Sequence, residues 1–251
     1  GAARQAERYL KLGFTALGFD PVLPMGSFDP RQLSLESLDN AERVTRALRE
    51  VCGSKCDLLV KTHGQMTTSS AIRFAKRLEQ FDPLWFEEPV PPDLPEEMAS
   101  VARATTIPIA AGERLTTKYE FARLLAVGGA RILQPNLGRA GGILEGKKIA
   151  TLAEAHYAQV APHLYCGPVV GAANIQLAAC SPNFLVLEGI LEWGGFHAEL
   201  LKQPIVWEDG YVHVPTAPGL GVELDHEVVA AHPYEDDALH LHARDEPLGY
   251  P

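Results

Sequence analysis

Two carboxylates stand together in PLWFEEP, residues 83–89, where a short apolar run closes on Glu87, Glu88 and Pro89. The run reads as a buried strand. Successive side chains alternate across a strand, so Glu87 and Glu88 must face opposite ways. Burying a carboxylate without a partner is costly. It is therefore either a salt-bridged strand terminus or part of a site. Lys61 and His63 end the strand DLLVKTH two residues apart and so share a face. Further strand ends carry Glu113, Asn136, His163 and Glu188, while Gly18 and Asp20 close the first. Imidazoles and carboxylates move protons, and a lysine amine can attack a carbonyl. Gathered at one rim, these residues read as a reaction site. Taken singly, each is a solvated loop residue, and either histidine alone is a satisfied core histidine.

The elements that must position them alternate. Strands are expected at 14–19, 57–63, around 84–87, and at 107–111, 130–134, 159–162 and 184–187. Helices are expected at 2–12, from Ser34 or Ser37 to Cys52, from Ser69 or Ser70 to Phe81, and at 95–105, 118–127, 143–157 and 170–180. A Pro/Gly-rich loop spans 22–31. Seven strand–helix alternations are the pattern of parallel βαβ units, and their number points to a closed barrel. The fold class is thus α/β, a TIM-type barrel over residues 1–190 that needs eight strands and shows seven. A strand before Gly1 is the expected missing one, as in a piece of a longer chain. In the C-terminal segment, 191–251, IVWEDGYVHV suggests a hairpin about Asp209-Gly210, and 218–224 a turn and short strand. Glu235, Asp236, Asp237, His240 and His242 lack ligand spacing and read as a solvated tail.

Across 251 residues the net charge is −10, which argues against nucleic acid or anionic membrane as partner. No apolar run approaches the ~20 residues of a membrane span, and no basic, apolar leader opens the chain. Cys52, Cys56, Cys166 and Cys180 lack zinc spacing and are expected as free thiols in a cytoplasmic protein.

WFEEP, AGERL, LQPNLGRAGG, APHLYCGP and APGLGVELD, in that order, resemble the enolase superfamily over Leu12–Leu224. Within it they are similar to the mandelate racemase/muconate lactonizing enzyme-like group, and most to its galactonate dehydratase-like acid-sugar dehydratases. The resemblance implies a (β/α)7β barrel behind a capping domain, which is absent here and toward whose side the C-terminal segment returns. It also implies a homo-oligomer, an acid-sugar substrate, and Mg²⁺ held by three strand-end carboxylates. A base removes the proton α to the substrate carboxylate, and an acid expels the β-hydroxyl as water. Carried over by position, Glu87 and Glu113 match metal ligands and His163 the base. His63 matches the acid, and Glu188 a residue that hydrogen-bonds the substrate carboxylate or the intermediate. Glu88 is structural, bridging toward a helix.

Three positions depart from the pattern. Lys61 stands where the first metal-binding aspartate belongs, and an ammonium beside Mg²⁺ is repelled by roughly 4 kcal/mol or more at ~4 Å. Either the metal is lost, with the ammonium between Glu87 and Glu113, or Lys61 swings aside. Gly18 and Asp20 replace a lysine-bearing strand end, so the cation has a route to move one strand along. Asn136 replaces the aspartate behind the base; its oxygen is expected to accept the Nδ1–H of His163. An acid-sugar dehydratase or cycloisomerase is the leading reading. Its rivals are an impaired relative that binds a sugar acid without turnover, and a Schiff-base enzyme using Lys61.

Overall fold

A computed structural model describes residues 1–22, 31–190 and 195–233. Six parallel strands, each hydrogen-bonded to the next in chain order, form one sheet: β1 (Ala16–Phe19), β2 (Asp57–Lys61), β3 (Trp85–Glu87), β4 (Ile109–Ala111), β5 (Ile132–Leu133) and β6 (Gln159–Val160). Between them run α1 (Ala2–Lys11), ahead of β1, then α2 (Leu35–Cys52), α3 (Thr68–Leu78), α4 (Pro95–Ala104), α5 (Lys118–Ala126), the short α6 (Leu137–Ala140) and α7 (Gly142–Ala155); α8 (Pro168–Ala179) follows β6. The expected seventh strand contracts to one parallel bridge, Val160 to Phe184.

Strand alternation sorts the core into two layers. Val60, Phe86, Ile109, Leu133 and Val160 face outward and pack with helix residues such as Phe74 and Phe121. Leu59, Trp85, Ala110, Ile132 and Ala161 point the other way and meet in one inner cluster, joined by Ala16, Leu185 and Val186. Residues from both ends of the sheet sharing that cluster require it to curl, as a barrel does. The curl is open: β1 is an edge strand. A cleft of about 570 Å³ lies inside, lined by residues of α1, β1 and 186–190.

Several local expectations are revised. Thr67, not Ser69 or Ser70, caps α3, because the Ser70 hydroxyl is taken by the Leu33 N–H at 2.8 Å. The α-helix stops at Leu78 and a 3-10 turn carries the chain to Phe81. A helix at His226–Ala231 (α9), capped by Asp225, begins where a solvated tail was expected; the acids and histidines from Glu235 onward, like most of the 22–31 loop, fall outside the described residues. The hairpin does form, as β7 (Trp207–Glu208) and β8 (Tyr211–Val212) about Asp209-Gly210, and Leu201 bridges Leu224. Its tip sits on Gly13, whose φ is +87° and where a Cβ would lie 2.3 Å from the Asp209 backbone. Glycine is required there. Among the described residues the cysteines are free and no helix is long and apolar enough to cross a membrane.

Candidate active site

The inward alternation continues past the inner cluster to the C-terminal strand ends. Leu59 is followed by Lys61 and Trp85 by Glu87, and Lys61 and Glu87 are register partners across β2 and β3. Ile132 and Ala161 lead likewise to Gln134 and His163. Glu87 is fully buried, and its Oε2 accepts the indole N–H of Trp85 at 3.0 Å. Its Oε1 has no hydrogen-bond partner, nor does the Gln134 Oε1. Glu88, with φ +41°, turns to the other side as expected. There it accepts from the Gly112 N–H at 2.9 Å and from Arg114 at 2.7 Å. Its partner is thus the turn after β4 rather than a helix. Replacing Glu88 with alanine is expected to cost about 3 kcal/mol in denaturant unfolding, since Arg114 and the Gly112 N–H lose their acceptor. A cost near zero would contradict this account.

Lys61 ion-pairs with Glu188, and its Nζ lies 3.8 Å from Glu87 Oε1. The ammonium therefore sits between Glu87 and Glu188, not between Glu87 and Glu113. Glu188 is held in turn by the Leu164 N–H at 2.7 Å. Burial pushes the Lys61 pKa down, but Glu87, Glu188 and Glu113 together raise it above the ordinary lysine value. Burial raises Glu87 to about 7 against the opposing pull of Lys61. Burial, aided by the charge of Glu88, raises Glu113 as well. A lysine held this firmly charged is a poor Schiff-base nucleophile.

The two histidines have different partners. His163 Nε2 is 3.4 Å from Glu113 Oε2. Its Nδ1 is 2.9 Å from Asn136 Nδ2, the amide nitrogen. The expected acceptance by the asparagine oxygen is not what the structure has. Asn136 is the N-cap of α6, and its Oδ1 takes the Gly138 N–H at 2.9 Å, which fixes the amide with its NH₂ toward the ring. An amide nitrogen only donates, so Nδ1 accepts and neutral His163 carries its proton on Nε2. Burial pushes its pKa down to about 4, helped by the charges of Lys61 and Arg139 and opposed by Glu188. His63, half-exposed, has a carboxylate beside it: Nδ1 is 3.7 Å from Asp20 Oδ2. The neighbouring Asp20 carboxylate raises its pKa despite burial, with Glu113 and Glu87 adding to the rise.

All seven expected residues, Lys61, His63, Glu87, Glu113, Asn136, His163 and Glu188, thus lie in one cluster of contacts and charge–charge interactions. Sequence reasoning assigned no role to Asp20, Trp85 or Gln134. Trp85 was findable, because residues i and i+2 on a strand share a face.

The donors do not fit a resident Mg²⁺. Of the three carboxylates such an ion needs in the resembled site, Glu87 and Glu113 are present. In the arrangement that the resemblance implies, Lys61 takes the third place, and an ammonium there is repelled by about 4 kcal/mol per unit of metal charge at ~4 Å. Among the described residues no group of three or more His, Cys, Asp or Glu side chains is arranged to hold a metal.

Known proteins bear on this site. D-xylonate dehydratase of Haloferax volcanii is 35% identical over 232 residues, 91% of this chain and 56% of the relative. D-galactonate dehydratase of Cronobacter sakazakii is 37% identical over 230 residues, 88% of this chain and 58% of the relative. A solved mandelate racemase/muconate lactonizing enzyme from Sulfitobacter sp. is 49% identical with a TM-score of 0.91, covering 99% of this chain and 62% of that one. The chain thus spans less than two thirds of the length of each. Residues 1–228 match the family model described as enolase C-terminal domain-like, and the chain belongs to that family.

Proposed function

We propose that the chain carries the catalytic half of a lyase that dehydrates an acid sugar to a 2-keto-3-deoxy acid. The observation that carries this reading is the convergence of two histidines, a charged lysine, the buried Glu87 and the partly buried Glu113 at the C-terminal ends of the inner strands, where barrel enzymes keep their reacting groups. The names of the two dehydratase relatives support the substrate class.

Enolase-superfamily members typically use Mg²⁺, but this donor set offers it a cation in place of a ligand. The roles are therefore read from the chain's own groups. His63, with a carboxylate at Nδ1, has the partner that steadies an imidazolium, so it takes the α-proton on Nε2. Electrons left on the substrate carboxylate face the Lys61 ammonium. His163, with its proton on Nε2, gives that proton to the departing β-hydroxyl and is restored by the proton that His63 took from the α-carbon, so both rings end neutral. One C–H and one C–O bond break, water leaves, and the resulting enol becomes the 2-keto acid. These assignments exchange the two histidines relative to the family pattern. The exchange follows from which one has a carboxylate at Nδ1: His63 has Asp20 there, whereas His163 has the Asn136 amide at Nδ1 and meets Glu113 through Nε2.

The test is a screen of D-xylonate, D-galactonate and D-gluconate, scored for 2-keto product. Formation from at least one supports the reading. Tight binding without product would instead favour a relative that only binds sugar acids.

A further inference from the structure

We propose that this site works without a bound divalent cation, and that the Lys61 ammonium, admitted by Gly18, is the seat of the ligand's carboxylate.

Lys61 lies at the C-terminal end of β2, beside edge strand β1, whose Gly18 pairs with Leu59 in the register. A Cβ built on Gly18 would lie 2.7 Å from Lys61 Cδ, 3.4 Å from Cγ and 4.0 Å from Cε. The stem therefore runs along the backbone of Gly18 in space that any other residue would fill. Gly18 has no positive φ here, so the requirement is for room and not for backbone freedom. The two departures from the family pattern on β1 and β2 are one arrangement: the empty position on one strand lets the long cation of the next reach the strand-end acids.

The head group is then fixed from several sides. Glu188, tethered by the Leu164 N–H, binds Nζ. Glu87, anchored through Oε2 to Trp85, turns its unpartnered Oε1 toward it at 3.8 Å. Lys61, Gly18, Gln134 and Glu188 all line the same cleft. A monovalent ammonium with three donors can bind a carboxylate while bridging protein acids, and it needs no third carboxylate ligand.

The choice of an acid sugar as ligand rests on the proposed function; the metal question does not, and the two are separable by experiment. Calorimetric titration of the purified protein with MgCl₂ alone, without any sugar, is expected to show no saturable binding at millimolar metal. Lys61→Asp supplies the third acid, removes the cation, and is expected to bind Mg²⁺ at least about tenfold more tightly than wild type. D-Galactonate and D-xylonate are then titrated in chelator. Lys61→Met, which keeps the stem and removes the charge, and Gly18→Ala, which obstructs the stem, are each expected to weaken acid binding by about tenfold or more. Circular dichroism confirms that the variants are folded; if Lys61→Met is not, Gly18→Ala carries this arm. Saturable Mg²⁺ binding by wild type, or acid binding unchanged in a folded Lys61→Met or Gly18→Ala, overturns the proposal. If wild type ignores both sugars yet also ignores Mg²⁺, the metal-free claim stands, and the substrate reading and the carboxylate seat fall.

Discussion

His63→Gln is expected to lower turnover of the responsive acid sugar by about 10²–10⁴-fold, the usual contribution of a positioned general base. Glutamine fills similar space and keeps a polar tip but cannot accept a proton near neutrality. The pH profile should carry the same residue's signature. His63 must be neutral to act, and the Asp20 carboxylate beside it raises its pKa. Activity is therefore low below that pKa and rises as pH passes through it. Asp20→Asn removes the raising partner, so the rising limb should move to lower pH while maximal turnover falls. Steady-state kinetics across pH on both variants reads this out. A limb that stays in place in Asp20→Asn would show that another group sets it.

Asn136→Asp is expected to reverse the tautomer of His163. Aspartate can still accept the Gly138 N–H and cap α6, so the fold should hold. It cannot donate to the ring, so Nδ1 must become the protonated nitrogen and Nε2 the free one. The added negative charge should also lift His163 above the value near 4 that burial gives it. A residue arranged to give a proton is thereby arranged to take one, and dehydration should slow by about 10²-fold. The ¹⁵N shifts of the His163 ring report the change directly, with the proton on Nε2 in the native protein and on Nδ1 in the variant. Identical ring shifts in both proteins would contradict the assignment.

What the sequence made legible follows from period-two alternation. Once Leu59 and Trp85 are placed inward, Lys61 and Glu87 must follow them to the same rim, and Glu88 must leave it. Less could be read where the deciding contact is long-range or where an element is too short to show a period. Glu188, the partner of Lys61, is 127 residues away, so only the curl of the sheet brings them together. The direction of the Asn136 amide depends on α6, four residues long and without helical periodicity. Its signals were an Asx cap at one end and Gly141, with φ +94°, at the other. Missing that cap reversed the expected hydrogen bond to His163. Asp20 was noted as a strand end, but its pairing with His63 follows from β1 and β2 lying side by side. Among the described residues the seventh strand is reduced to a single bridge from Phe184 to Val160, too short to show a period.

Exchange of the substrate's α-hydrogen in D₂O, followed by proton NMR, isolates the first step from the loss of water. With a responsive acid sugar, His163→Gln should still wash deuterium into the α-position while forming no keto acid. His63→Gln should do neither. Exchange that survives in His63→Gln and disappears in His163→Gln would return the base to His163 and refute the reading of the two histidines from their partners.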